Sequence, residues 1–111
     1  MTSKLDSLRA LQAAVKAGEA KADHFRAVWP GYMGTTTPTA KNAGEAFDGS
    51  LDAALALHKA VLPGHGWGLS HVGAYVCDLD GRAEYGEATD PARAWLLAIL
   101  AALVAQEERG A

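Results

Sequence analysis

The stretch GSLDAALALHKAVLPGHGWGL, residues 49 to 69, passes from a helical pattern to an extended one at Pro63 and Gly64. Ser50 is a favoured N-cap residue, and the leucines and His58 after it recur at helical spacings. Proline and glycine then end the helix, and the alternating residues beyond them are typical of a strand. The sequence therefore predicts a helix that leads directly into a β-strand.

Two more strands are predicted after this stretch. They are AYVCDL, residues 74 to 79, and RAEYGEA, residues 82 to 88. The Asp80 and Gly81 pair between them favours a hairpin turn, because both residue types tolerate a positive φ angle. Three antiparallel strands with one apolar face need a helical cover, and the helices that flank them in sequence are the natural candidates.

The last helix is predicted from Pro91, with Asp90 as its cap, to about Gln106. Its residues are apolar on more than one face, so it must be covered twice. The second cover is either the N-terminal helix or a second copy of the chain. The latter alternative predicts a homodimer through helix 91–106.

The N-terminal part contains one clear amphipathic helix, at about residues 4–17, which Ser3 can cap and Gly18 can end. One or two helical turns are predicted before Pro30. From there to Gly49 the chain is rich in Gly, Thr, Pro, Ala and Asn. This composition predicts a long loop at about 30–49, either a mobile linker or a binding loop.

Trp29, Tyr32 and Met33 are large apolar residues beside this loop. Apolar anchors next to a flexible segment are a common form of protein-binding surface, so these three residues are the candidates for an interaction surface. The alternative for Trp29 is that it fills a gap in the core.

The elements together predict an α+β fold, a three-stranded antiparallel meander packed with helices in the order α-(loop)-α-β-β-β-α. An α-β-β-β-α unit is expected over about residues 50–106. The 111 residues fit a single domain, 1–111, and half of them are hydrophobic, as in ordinary globular proteins.

The formal net charge of −3 disfavours non-specific binding to nucleic acid. Cys77 is the only cysteine, which excludes an internal disulfide and fits a reducing compartment. The N-terminus lacks the apolar block of a secretory signal, and the longest apolar run has 12 residues, whereas a membrane span needs about 20. We therefore expect a cytoplasmic protein that does not enter a membrane.

The residues that could carry chemistry are His24, His58, His65, His71 and Cys77. They lack the close ligand pairs of a zinc site, so no metal and no cofactor are expected. His58 is interpreted as a packed side chain whose polar tip reaches water or a carbonyl, and Cys77 as a small apolar residue of the core. No catalytic residue is predicted.

The segments FDGSLDAALALHKAVLPGHGW and ATDPARAWLLAILAALVAQ, together with the strands between them, resemble the phage ABA sandwich domain, a family of small bacteriophage and prophage proteins. The resemblance covers about residues 46–106. It depends on positions that form the fold: Leu62, Pro63, Gly64, Trp67, Thr89 and Pro91. It implies a phage or prophage origin and assigns no catalytic residue.

The order helix, three strands, helix is also similar to the double-stranded RNA-binding domain. That family binds RNA with lysines at the start of the last helix, where this chain has Asp90 and only Arg93. RNA binding is therefore disfavoured, since a carboxylate at a helix N-terminus repels phosphate.

The leading expectation is a small non-enzymatic protein of the bacterial cytoplasm that binds a host or phage protein, for example to inhibit a host defence system. The first alternative is a minor virion or assembly component. The second alternative is a module like the double-stranded RNA-binding domain, or a small enzyme.

Overall fold

A computed structural model describes residues 3–31, 35–71 and 73–110. Within them the chain forms five helices and a three-stranded antiparallel sheet, which confirms the predicted α+β fold. The elements are α1 (Lys4–Ala17), α2 (Ala22–Val28), α3 (Pro38–Phe47), α4 (Leu51–Val61), β1 (Gly66–Leu69), β2 (Ala74–Cys77), β3 (Ala83–Gly86) and α5 (Pro91–Gly110).

The long loop predicted at about 30–49 is wrong, because α3 occupies half of it. Thr37 caps this helix by accepting a hydrogen bond from the Ala40 backbone N–H, and Pro38 stands at its first position. Ala40, Ala43 and Ala46 form a buried stripe along it. The stripe is made of alanine alone, so it lets α3 approach its neighbours closely but gives a weak apolar signal in the sequence.

Helix α5 is the centre of the fold. Helix α1 packs on one side of it, β2 and β3 pack on another, and α3 and α4 also contact it. The second cover of this helix therefore comes from within the chain, and the packing argument for a homodimer through 91–106 no longer holds. Among the described residues, no helix is both long enough and apolar enough to cross a membrane.

The last helix continues to Gly110, beyond the predicted end near residue 106. Its additional turn carries Glu107 and Glu108, which lie 3.8 Å from Lys4 and 3.5 Å from Arg9 of α1. These exposed ion pairs are individually weak. The polar turn nevertheless continues the helix, since glutamine, glutamate and arginine are good helix formers.

The sheet has the order β1-β2-β3 and covers α5 with one face only. Ala74 and Val76 of β2 are buried on this face. Gly86 of β3 allows the closest approach, because a Cβ atom at this position would collide with the α5 backbone at Ala94 and Ala98. A glycine in β3 therefore fixes the distance between the sheet and the central helix.

Candidate functional site

The face of the sheet that points away from α5 has no helix packed on it in the described part of the chain. Successive side chains of a strand point to opposite faces, so the strand register assigns the residues of this face. We call it the open face, and it consists of Gly66, Gly68, Tyr75, Cys77, Ala83 and Tyr85.

Two tyrosines dominate the open face. Tyr75 and Tyr85 are direct partners across β2 and β3, and their ring centroids lie 6.4 Å apart. The Tyr75 ring lies over Gly68 of β1, where any Cβ atom would collide with it. Glycine in β1 therefore lets this ring lie flat across the strand, while Tyr85 remains 71% exposed.

The exposed apolar surface of the chain is concentrated at the sheet. Among the described residues, the structure exposes six large apolar or aromatic side chains, and five of them belong to the strands or to the turn between β2 and β3. These five are Trp67, Leu69, Tyr75, Leu79 and Tyr85. Only Tyr75 and Tyr85 of these five stand on the open face, since Trp67 and Leu69 stand on the helix-facing side and Leu79 lies in the turn. An exposed pair of aromatic rings is typical of a surface that contacts another molecule.

The charge of this region decides which molecule it suits. The three strands contain one charged residue, Glu84, which shares the helix-facing side with its register partner Val76. Residues 60–77 contain no lysine, arginine, aspartate or glutamate. The strands therefore offer aromatic rings without the cations that a nucleic-acid backbone requires.

His58 lies at the junction of α4, β1 and α5, where it is only 1% exposed. Its Nε2 atom is 2.9 Å from the carbonyl oxygen of His65, and its Nδ1 atom accepts a hydrogen bond of 3.3 Å from the Trp95 indole N–H. Trp67 places its ring edge-to-face with His58 and stacks on Trp95. The imidazole is thus enclosed by two indoles and a backbone carbonyl.

These contacts define the protonation state of His58. The indole N–H of Trp95 can only donate, so Nδ1 must be the acceptor, and the proton is on Nε2, where it is donated to the carbonyl of His65. Burial lowers the pKa of His58 below its ordinary value; the hydrogen bond to the carbonyl opposes this effect and the nearby His65 imidazole adds to it. His58 is therefore a neutral packing residue, with no nitrogen free for a substrate or a metal.

The other candidate residues do not converge. His24 accepts a hydrogen bond from the Lys21 backbone at the start of α2, and His71 is exposed beyond the end of β1. His71 and Cys77 do not share a site, because Cys77 pairs with Gly66 at the end of the hairpin opposite to His71. In the described ranges, no three His, Cys, Asp or Glu side chains form a group that could hold a metal ion.

The prediction that Cys77 belongs to the core is wrong. Its thiol is half-buried on the open face and is not part of the buried cluster, whereas the neighbouring Val76 is. Both residues are apolar, so the alternation along β2 does not decide which of them faces the helix. The close contact of α5 with Gly86 selects the face that carries Val76 and Ala74.

His65 lines a small cavity between the sheet and the end of α5, together with the carboxylates of Asp78 and Glu84. Its polar lining includes His65, Asp78, Arg82, Glu84 and Arg109, but its volume is only about 10 Å³, room for a single water molecule at most. The backbone N–H of Arg82 is the main cause that lowers the pKa of the Asp78 carboxyl, and the N–H of Asp80 contributes. Asp78 therefore shapes the hairpin, in which Gly81 has a positive φ angle, and the cavity has no room for a substrate.

The start of α5 is also committed to internal contacts. Asp90 accepts hydrogen bonds from the backbone N–H groups of Ala92 and Arg93 at 2.8 and 3.1 Å. The Arg93 guanidinium donates two hydrogen bonds to the Phe47 carbonyl and lies 4.2 Å from the centroid of the Phe47 ring. This helix end therefore holds α3 in place and presents a carboxylate where an RNA-binding domain would present cations.

The predicted interaction surface around Trp29 is only partly within the described residues. Trp29 is half-buried against the core, and its carbonyl accepts a hydrogen bond from the Thr37 hydroxyl. Tyr32 and Met33 lie outside the described residues. Trp29 therefore packs against the core with part of its side chain accessible, and its place in an interaction surface stays a prediction.

Neither Tyr75 nor Tyr85 was predicted as a site residue from the sequence, although one signal marks the β1–β2 hairpin that carries Tyr75. The absence of charged residues from 60 to 77 is unusual for a segment that includes an edge strand, because edge strands are commonly protected by charges.

The chain matches no protein-family model, no curated protein and no solved structure.

Proposed function

We propose that this chain is a small non-enzymatic binding protein that contacts another protein through the open face of its sheet. One observation carries the proposal: the open face presents two aromatic rings, Tyr75 and Tyr85, which are 43% and 71% exposed and whose centroids lie 6.4 Å apart. Tyrosine offers a large contact area with little loss of conformational entropy, and it is enriched at protein interfaces.

The chemistry of the open face supports a protein as the partner. The face combines the Tyr75 and Tyr85 rings with small residues and the Cys77 side chain. A polyphosphate ligand would need several cations in the same place, and the strands contain none. A protein surface with an apolar centre needs no such charges.

The internal chemistry of the chain supports a role without catalysis. Both ring nitrogens of His58 are used in packing, and the cavity beside His65 and Glu84 is too small for a substrate. General acid–base catalysis needs a titrating group within hydrogen-bond reach of a bound reactant. Neither His58 nor His65 meets that requirement.

The resemblance of residues 46–106 to the phage ABA sandwich domain adds a biological context to the proposal. In that context the partner is a bacterial host protein or another phage protein, and inhibition of a host defence system is one concrete form of the activity. The small size and acidity of the chain, with a net charge of −3, are compatible with it.

Affinity capture from a bacterial lysate, with three forms of the full chain as bait, tests the proposal. The wild type is compared with the double variant Tyr75→Ser/Tyr85→Ser, which removes the aromatic surface. Leu51→Ser is the matched control, because Leu51 is also exposed but lies at the start of α4. Circular dichroism establishes that all three forms are folded.

The proposal predicts that the same protein is retained by the wild type and by Leu51→Ser and is lost with the double tyrosine variant. Retention of that protein by the double variant would contradict the proposal, and so would the recovery of no specific protein by the wild type.

A further inference from the structure

The outer edge of β1 is unprotected in the described chain. Among the described residues, β2 is the only strand that pairs with β1, and the ring contacts of Trp67 with His58 and Trp95 lie on the helix-facing side. Edge strands are usually blunted by a charge, a proline or a covering element, because their free N–H and C=O groups bind other strands. β1 has the sequence GWGL and carries none of these protections.

The hairpin identifies the backbone groups that are free. The Ser70 N–H donates to the Gly73 carbonyl, so this pair is hydrogen-bonded, and hydrogen-bonded pairs alternate along an antiparallel ladder. With the observed register, Gly66 and Gly68 direct their backbone groups toward β2. Trp67 and Leu69 direct theirs outward, toward the open edge.

From this geometry we infer that two copies of the chain associate through β1, as antiparallel neighbours in one continuous six-stranded sheet. A twofold axis that places Gly68 opposite Gly68 of the second copy puts Trp67 opposite Leu69 of the second copy. These are the residues whose N–H and C=O groups point outward, so each such pair exchanges two hydrogen bonds.

The side chains favour a second copy of the chain as the occupant of the edge. Trp67 and Leu69 are each 43% exposed, and both stand on the helix-facing side of the sheet. In the twofold arrangement, the exposed part of Trp67 packs on the exposed part of Leu69 of the second copy. The reciprocal contact forms on the same side of the sheet. The patch is thus complementary to itself, as an isologous interface requires.

The charges favour a closed dimer over an open chain of molecules. No charged residue lies between Lys59 and Asp78, so two β1 strands meet without repulsion. The opposite edge of the sheet, β3, carries Glu84 and is followed by Glu87. Pairing of β1 with β1 is therefore preferred to pairing of β1 with β3, which would build a filament.

This inference is independent of the proposed function, because the β1 edge and the open face are different surfaces. A dimer of this form would join two open faces into one, so that each assembly presents two Tyr75 and Tyr85 pairs.

Sedimentation equilibrium of the full chain under reducing conditions tests the inference. Leu69→Lys places a charge at the edge, and Leu69→Pro removes an outward N–H without loss of a ladder hydrogen bond to β2. Leu79→Lys is the matched control, because Leu79 is 94% exposed in the turn between β2 and β3. Tyr75→Ser/Tyr85→Ser changes the open face and leaves the β1 edge intact, so it shows whether the dimer depends on the open face.

The wild type, Leu79→Lys and the double tyrosine variant should shift from the chain mass of 11.6 kDa toward twice that value as concentration rises. The interface is small, so the range must extend to about 0.5 mM chain. Both Leu69 variants should remain monomeric throughout. A monomeric wild type over this range would overturn the inference, as would dimerisation of both Leu69 variants or loss of the dimer in the double tyrosine variant.

Discussion

The indole N–H of Trp95 donates a hydrogen bond of 3.3 Å to Nδ1 of His58, and this contact joins α5 to α4 across 37 residues of sequence. It fixes the neutral form of the imidazole with its proton on Nε2, because protonation of Nδ1 would place two donors against each other. The only buried histidine among the described residues is therefore part of the core.

The first prediction concerns the pH dependence of stability. The pKa of His58 is lowered in the folded state, so below its ordinary value of 6.5 the unfolded chain binds a proton that the folded chain does not. The free energy of unfolding should therefore fall as pH decreases from about 6.5, by at most about 1.4 kcal/mol per pH unit, until the folded pKa is reached. Urea titrations between about pH 7.5 and 5.5 measure the slope.

Two variants isolate the contribution of His58 to that slope. His58→Gln retains an acceptor and a donor but does not titrate, so it should flatten the pH dependence. His71→Gln changes an exposed histidine and should leave the slope as in the wild type. Equal slopes in the wild type and His58→Gln would show that His58 is not the group responsible.

The second prediction concerns Trp95→Phe. The substitution keeps a large ring but removes the N–H donor, which leaves Nδ1 of His58 buried without its partner. An unsatisfied buried acceptor costs about 1 to 3 kcal/mol of unfolding free energy. Trp29→Phe is the control at a half-buried indole and should cost about 1 kcal/mol or less. If the two variants lost equal stability, the hydrogen bond would have no special contribution.

The third prediction compares two glycines. Gly86→Ala should destabilise the fold by about 3 kcal/mol, because the new methyl group meets the α5 backbone, which cannot move aside. Gly44→Ala should stabilise it by about 0.5 to 1 kcal/mol, because Gly44 lies inside α3 and the added methyl group meets nothing within 4 Å beyond its chain neighbours and the α3 backbone. Thermal unfolding measures both, and effects of the same sign would contradict this description of the packing.

The sequence was sufficient for the fold class and insufficient for α3. Caps and apolar spacing predicted α1, α4 and the start of α5, because those signals are local. The Thr37 and Pro38 start of α3 was equally local, but its buried stripe is alanine, which contributes little to an apolar pattern. The helix forms because it packs closely, and close packing is a property of the whole fold.

The candidate surface could not be predicted for a related reason. Along β2, Tyr75 and Val76 are both apolar, so alternation alone leaves open which of them meets α5. Small residues make that choice: Ala74 is buried, and Gly86 leaves room for the α5 backbone, which a Cβ atom would meet. The contact between His58 and Trp95 likewise depends on how two distant helices cross, which no spacing in the sequence encodes.

The fourth prediction concerns the cap of α5. Asp90→Ala removes the acceptor for the Ala92 and Arg93 backbone N–H groups and should lower the unfolding free energy by about 1 kcal/mol. Asp90→Asn keeps an oxygen in the same place and should retain most of the stability. Chemical denaturation distinguishes them, and equal losses would assign the effect to the charge of Asp90 and not to its hydrogen bonds.

The fifth prediction addresses the central claim, that the open face binds a protein, and site-specific photo-crosslinking tests it most directly. A photoreactive phenylalanine analogue is placed at position 85, on the open face, or at position 51, an exposed position on α4. After irradiation in a bacterial lysate, position 85 should form a covalent adduct with one protein, and position 51 should not. No adduct from position 85, or the same adducts from both positions, would contradict the claim.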